Sequence, residues 1–276
     1  MSTFERYDEA AAFYDGTRVP VGLDIVREAL ARLPRPPAES VLLDAGCGTG
    51  AYTAALSGSL GRVVALDRSG GMLQTARRKL ARQASDEAPV FLQGDLLSLP
   101  LAAASVDALL FNQVLHHLEP GDGTYAGHRA ALAEAARVLR PGGLLLLNAC
   151  THEQLCRGFW FYGLIPRALE RVLARCAPET EVAAILEDLG FALQARRVPR
   201  DAVLQGAAYF DPRGPLDPAW RRGDSIWALA EPEELAAAKA QVRQLEAEGG
   251  LTGFVAQADA ARPEVGQVSF FVAVRR

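Results

Sequence analysis

Asp44 stands directly before Ala45-Gly46-Cys47-Gly48-Thr49-Gly50. Glycines at alternate positions let a chain turn sharply and bring its backbone N–H groups close to a ligand. Several nucleotide-binding families use such loops, so the loop alone does not name the ligand. The carboxylate at position 44 narrows the choice, because it repels a pyrophosphate and suits an ammonium or sulfonium group. Asp67 lies about 20 residues beyond the loop, where a carboxylate can accept hydrogen bonds from both hydroxyls of a ribose. Gly94-Asp95-Leu96 offers a further aspartate able to receive an adenine amino group, and Asn112-Gln113-Val114 adds two side-chain amides.

These residues share one setting. Short apolar runs at 41–45, 63–67, 90–92, 106–111 and 144–147 alternate with helical patterns, which predicts a βαβ chain with a parallel sheet. Each candidate group falls at or just after the carboxyl end of one of the first four strands, the edge where open α/β sheets bind ligands. Ser69 is placed to cap a helix whose apolar face is Met72, Leu73, Ala76 and Leu80. A helix through Leu132, Ala135, Ala136 and Leu139 stops at Pro141-Gly142-Gly143. A helix over 179–189 and strands over 191–198 and 268–274 complete the core. The four loops together predict an S-adenosylmethionine site rather than a dinucleotide site.

Residues 199–266 interrupt this pattern with three X-Pro turns and one helix from 233 to about 248, begun by Pro232 at its first turn. An excursion of that length is expected to form a substrate cap. Three segments follow: an N-terminal helical stretch over 1–38, a core over 39–198 and 267–276, and the cap.

The 276 residues are 50% hydrophobic and 22% charged, with a net charge of −4. That balance argues against nucleic acid as a partner, and the short basic runs have no interleaved aromatics. No apolar run is long enough to span a membrane, and the polar, acidic N-terminus lacks a signal peptide's pattern. Cys47, Cys150, Cys156 and Cys176 show no metal spacing, so no metal is expected and a reducing cytoplasm is the simplest setting.

Taken together, residues 44–50, Ala65-Leu66-Asp67-Arg68-Ser69 with Met72-Leu73, Gly94-Asp95, Leu115-His116-His117-Leu118 and the run 137–143 resemble class I S-adenosylmethionine-dependent methyltransferases of the ubiquinone/menaquinone type. The resemblance spans roughly residues 7–149. It implies a Rossmann-like, doubly wound, mostly parallel seven-stranded sheet with an antiparallel last strand. It also implies that Gly46, Cys47, Gly48 and Gly50 meet the methionine part, Asp67 and Arg68 the ribose, and Asp95 with Leu96 the adenine, beside Met72. Phe13-Tyr14-Asp15 and Arg18 look like the family's opening segment, in which an aromatic and a basic residue close over the cofactor.

The expected activity is methyl transfer by in-line displacement to a small organic acceptor. His117 is the candidate base, and His116 a weaker one. Methyl transfer to an acceptor that is already nucleophilic needs alignment more than a base, since orientation alone contributes about 7–11 kcal/mol. Phe159-Trp160-Phe161-Tyr162, read as part of a helix, cannot all face inward, so some are expected to line the acceptor pocket with Tyr209 and Trp227. Two other readings are a cofactor-binding protein without transfer activity and an NAD(P)-dependent oxidoreductase; Asp44 speaks against the second. The motifs set neither the acceptor nor the oligomeric state.

Overall fold

The computed structural model describes residues 20–81 and 88–276. Seven strands form one sheet: β1 (Val41–Ala45), β2 (Arg62–Asp67), β3 (Val90–Gln93), β4 (Val106–Asn112), β5 (Leu139–Ala149), β6 (Phe191–Arg197) and β7 (Ser269–Arg275). Their spatial order is β3-β2-β1-β4-β5-β7-β6. The first five pair in parallel, and β7 runs antiparallel to both β5 and β6. The doubly wound, mostly parallel sheet with a reversed last strand is therefore present.

The central strands are apolar on both faces because helices cover both. Leu42, Ala108, Leu110, Leu144 and Leu146 point into one core layer, while Leu43, Leu109, Phe111, Leu145 and Leu147 point into the other. This is the period-two alternation of a strand. Helix α1 (Leu23–Leu30) buries Ile25, Val26, Ala29 and Leu30 in the first layer. Helices α2 (Ala51–Leu56) and α3 (Gly70–Leu80) follow β1 and β2; the α3 face Met72, Leu73, Ala76 and Leu80 is buried as its spacing demands. Ser69 caps α3 by accepting the Met72 N–H.

Two details differ from the sequence reading. Helix α4 (Ala126–Val138) passes directly into β5 at Leu139, and Pro141-Gly142-Gly143 lies inside the strand. Pairing with β4 jumps there from Val106↔Leu139 to Ala108↔Leu144, with Gly142 at φ +77°. The proline, which has no N–H to give, sits in that irregularity rather than in the regular ladder. The second difference is the excursion after β6. Beyond the first turns it holds four helices, not one: α8 (Pro218–Arg221), α9 (Pro232–Ala247), α10 (Leu251–Ala258) and α11 (Arg262–Val265). Before it come α5 (His152–Arg157), α6 (Pro166–Leu173) and α7 (Glu179–Asp188). Two of the added helices are a single turn long, too short for a periodic signal.

Among the described residues, no helix is long and apolar enough to cross a membrane, and no group of three or more His, Cys, Asp or Glu could hold a metal ion. Tyr14 and Arg18, and the closure over the cofactor read from them, lie outside the described residues.

Candidate functional site

The glycine loop is built by hydrogen bonds to its neighbouring strand. The Gly46 and Cys47 N–H groups both donate to the Leu66 carbonyl, at 2.8 and 2.9 Å, and the Gly50 N–H donates to Cys47. Gly46, Gly48 and Gly50 all have positive φ, at +79°, +54° and +75°. Their surroundings differ. A Cβ on Gly46 would meet Val114 Cγ2 at 2.7 Å, and one on Gly50 would meet Ala76 Cβ at 3.0 Å, whereas nothing lies within 4 Å of one on Gly48. Gly46 and Gly50 are thus required by packing, while Gly48 presents bare backbone to open space, which is the cradle a ligand needs.

Asp67 closes the loop from β2. Its Oδ2 accepts the Gly48 N–H at 2.8 Å, and its Oδ1 accepts the Ser69 N–H at 2.9 Å. Asp44 is 1% exposed and accepts the Thr53 hydroxyl at 2.6 Å. Burial pushes its carboxyl up from 3.8 to about 6, against the Thr53 bonds, with a smaller contribution from the charge of Asp67. Burial also drives the Cys47 thiol far above its ordinary range, helped by the charges of Asp44 and Asp67. Cys47 therefore lacks the lowered pKa that marks a reactive thiol.

Arg68 is exposed, and its carbonyl accepts the Gln93 side-chain amide at 3.0 Å. Met72 is buried under the loop on α3. Asp95 is exposed and turns the chain by accepting the Leu97 N–H at 2.9 Å; Leu96 beside it is buried. This side-chain turn is a common use of aspartate, and it holds the adenine candidate at the rim of the sheet. Asn112 and Gln113 join a ladder with Asn148 at the end of β5. Asn148 Nδ2 donates to Asn112 Oδ1 at 2.8 Å, and the Gln113 side chain and backbone N–H both donate to Asn148. Gln113 sits at φ +51°, a left-handed conformation uncommon outside glycine and concentrated at functional sites.

Next to this ladder lies a pocket. Gln113, His116, His117 and Cys150 form its sheet side, and Phe159, Tyr162 and Asp224 are among its other walls. His116 and His117 occupy a 3₁₀ turn after β4, Leu115–Leu118, with ring centroids 3.9 Å apart. The cavity volume is about 30 Å³, which holds one or two waters at most. A larger acceptor requires the surrounding walls to move apart.

The aromatic run corrects one expectation. Residues 159–161 form a turn between α5 and a 3₁₀ segment, not a helix, and all of Phe159, Trp160, Phe161 and Tyr162 are buried. Phe159 and Tyr162 stack at 4.3 Å along the pocket wall. Trp160 and Phe161 face the segment 199–266 instead. The Trp160 indole donates to the Tyr209 carbonyl at 2.8 Å, and Phe161 stacks on Trp227 at 5.8 Å. Tyr209 and Trp227 therefore support the pocket wall from behind, and neither lines it.

Three side chains important to this region act across long stretches of sequence; the sequence places Asn148 after the fifth strand, on the acceptor side of the sheet, and gives no signal for Glu234 or Asp224. Asn148 links the ends of β4 and β5. Glu234 on α9 accepts the Arg167 N–H at 2.6 Å and so caps α6. Asp224 enters the pocket wall from the far end of the chain. Each works through a partner 36 to 67 residues away.

Residues 43–147 match the family described as a methyltransferase domain. A demethylmenaquinone methyltransferase of Clavibacter sepedonicus is 37% identical over 145 residues, covering 51% of this chain and 55% of that protein. A malonyl-[acyl-carrier protein] O-methyltransferase of Hahella chejuensis is 36% identical over 156 residues, covering 55% and 50% respectively. The chain thus spans about half the length of these curated relatives. A solved structure from an antibiotic biosynthesis pathway of Anabaena variabilis superposes with a TM-score of 0.70 at 23% identity, covering 95% of this chain and 100% of that one; a likeness at that identity shows the fold. The strand order and the glycine loop agree with the matched segment: residues 43–147 are similar to a methyltransferase domain, carried on a Rossmann-like sheet.

Proposed function

We propose that the chain transfers a methyl group from S-adenosylmethionine to a small organic acceptor. The observation that carries this reading is the bare backbone of Gly48, held open by the Asp67 carboxylate and next in line to a pocket at the same edge of the sheet. The donor set fits the cofactor: Asp67 for ribose hydroxyls, Gly46 to Gly50 for the methionine end with Asp44 beneath them, and Asp95 with Leu96 for adenine. Arg68, Met72, Asn112 and Gln113 complete the expected contacts; Tyr14 and Arg18, also expected to contact the cofactor, lie outside the described residues. When bound, the cofactor would supply an electrophilic methyl carbon for a lone pair of the acceptor, with sulfur as the leaving atom that keeps the carbon–sulfur bond pair.

The chain's own contribution is mostly orientation and exclusion of water, worth about 7–11 kcal/mol where alignment is good. The buried walls from Phe159, Tyr162 and the segment 199–266 supply both, so that segment serves as the acceptor cap. His117 faces the pocket and is placed to take a proton from an acceptor that must lose one; such a base contributes roughly 10²- to 10⁴-fold. The acidic net charge supports a small molecule over nucleic acid.

Calorimetric titration of the wild type with S-adenosylhomocysteine tests the donor. A panel of small acceptors read by S-adenosylhomocysteine release tests the transfer. Tight binding, with release for at least one acceptor and a loss of at least about 10²-fold in kcat for His117→Gln, is the expected result. Failure of the wild type to bind S-adenosylhomocysteine would overturn the reading.

A further inference from the structure

Asp224 is a carboxylate placed where a cap needs only apolar packing. It is 5% exposed and lies in the wall of the pocket. One of its duties is local: its Oδ1 accepts the Ile226 N–H at 3.2 Å and so starts the 3₁₀ turn Ser225–Leu229. An exposed aspartate would do that equally well. Burial adds a desolvation cost that local capping does not repay, and two further residues are committed to aiming the group. Gln205, itself buried, donates its side-chain amide to Oδ2 at 2.9 Å. Tyr162 comes from the opposite segment of chain and places its hydroxyl 3.4 and 3.3 Å from the two oxygens.

Those last distances exceed the usual 2.7–2.8 Å of an O–H···O bond. The hydroxyl is shared between the two oxygens, both at the long end of the range. A donor arriving in the pocket can therefore bond to the carboxylate at normal length while Tyr162 shifts its hydroxyl to one side. Beside Asp224, Leu155, Phe159, Leu204 and Ile226 form an apolar part of the wall, set against the polar sheet side of Gln113, His116 and His117, and the Phe159 and Tyr162 rings lie parallel.

We propose that Asp224, aimed by Gln205 and Tyr162, is the group that reads the methyl acceptor. It selects molecules carrying a neutral or cationic hydrogen-bond donor on an apolar or aromatic body, and it rejects anionic ones. A carboxylate or phosphate brought against Asp224 would be repelled by its charge and would offer it no hydrogen to accept. This inference rests on the methyltransferase reading above. It extends that reading to an acceptor class unlike the acidic malonyl group in the name of one relative.

The test uses the full chain saturated with S-adenosylhomocysteine and four probes with one apolar body: p-cresol, 4-methylbenzylamine, 4-methylbenzoate and p-tolyl phosphate. Binding is measured by calorimetry. The wild type is expected to bind the cresol and the amine at least about tenfold more tightly than the two anions, as a charge-assisted hydrogen bond implies. Asp224→Asn is expected to reduce that preference to less than about threefold. Gln205→Leu, which removes the aiming amide, provides a second variant should Asp224→Asn not fold; it is expected to weaken the cresol and the amine and not the anions.

Equal or reversed preference in the wild type, an unchanged preference in Asp224→Asn, or no binding of either donor probe would overturn the proposal. Binding of S-adenosylhomocysteine itself is the separate readout. If the wild type lacks it, the methyltransferase reading fails and this inference falls with it. If it is present while the probe order is wrong, only the acceptor inference fails.

Discussion

Asp67 and Gly48 are bonded to each other across the mouth of the site, the carboxylate Oδ2 accepting the glycine N–H at 2.8 Å. The residue assigned to the ribose thus also fixes the shape of the loop assigned to the methionine end. Asp67→Ala removes both functions at once. Hydrogen bonds to a charged group contribute about 1.5–3 kcal/mol, so S-adenosylhomocysteine should bind on the order of 10- to 100-fold more weakly to the variant. Equal affinities in calorimetry would sink the assignment.

Gly48 and Gly46 should separate under substitution, although both have positive φ. Gly46→Ala must displace Val114, whose methyl lies 2.7 Å from the new carbon. Gly48→Ala meets no such neighbour and loses only the cost of a left-handed alanine, about 1–2 kcal/mol. Its methyl, however, fills the cradle. We expect Gly48→Ala to unfold only slightly earlier than the wild type in thermal denaturation yet to lose at least about tenfold in cofactor affinity, and Gly46→Ala to lose more stability. Cofactor binding unchanged by Gly48→Ala would remove Gly48 from the site.

Asp44 makes stability depend on pH in an unusual direction. Its folded-state pKa is raised to about 6, from 3.8, chiefly by burial. The folded protein then holds this proton more tightly than the unfolded chain does. Stability is full below about pH 4 and is lost as pH rises through about 6, by about 3 kcal/mol at neutral pH. Asp44→Asn cannot ionise, so it should be more stable than the wild type at pH 7, with the difference shrinking toward zero near pH 4. Urea titrations at several pH values decide this; a difference independent of pH would show that Asp44 does not titrate as described.

The thiols should react unequally. Cys156 is exposed on α5, whereas Cys176 is buried and its pKa is pushed up to about 12 by desolvation, slightly opposed by Arg175. Cys47 is pushed higher still. Brief alkylation of the native protein with iodoacetamide at pH 8, read by mass spectrometry of peptides, should label Cys156 well before Cys47 or Cys176. Preferential labelling of Cys47 would mean that the glycine loop opens far more often than its hydrogen bonds suggest.

The sequence displays those parts of the fold that depend on near neighbours. The alternation of Leu42 with Leu43, and of Leu144 with Leu145, places the sheet between two layers of helix, and the Ser69 cap and the Met72 face are written within a few residues. The candidate cofactor groups could be located for the same reason, since each sits at the end of its own strand. The pocket beside Gln113 could not. Phe159 to Tyr162 read as a helix face because their neighbours are helical. Their true conformation is tied to contacts such as Gly158 against Gly266, where a Cβ on Gly158 would collide with the Gly266 carbonyl oxygen. Asp224 and Glu234 likewise gain their meaning from Tyr162, Arg167 and Ala168, more than 60 residues away, and no local pattern encodes such a distance.

The placement of β7 between β5 and β6 has a consequence for how this protein can change. Residues 199–266 leave the sheet from β6 and return in β7, and Arg197 and Phe270 are paired across those two strands. The segment is a detour whose two ends are anchored side by side. Doubling the length of such a loop costs only about 0.6 kcal/mol in closure entropy, and none of β1 to β5 has to move to accommodate a new one. A graft between Arg197 and Phe270 could therefore replace this stretch while the glycine-loop half of the chain stays fixed, provided that the new segment covers Trp160 and Phe161 and caps the helix at Arg167.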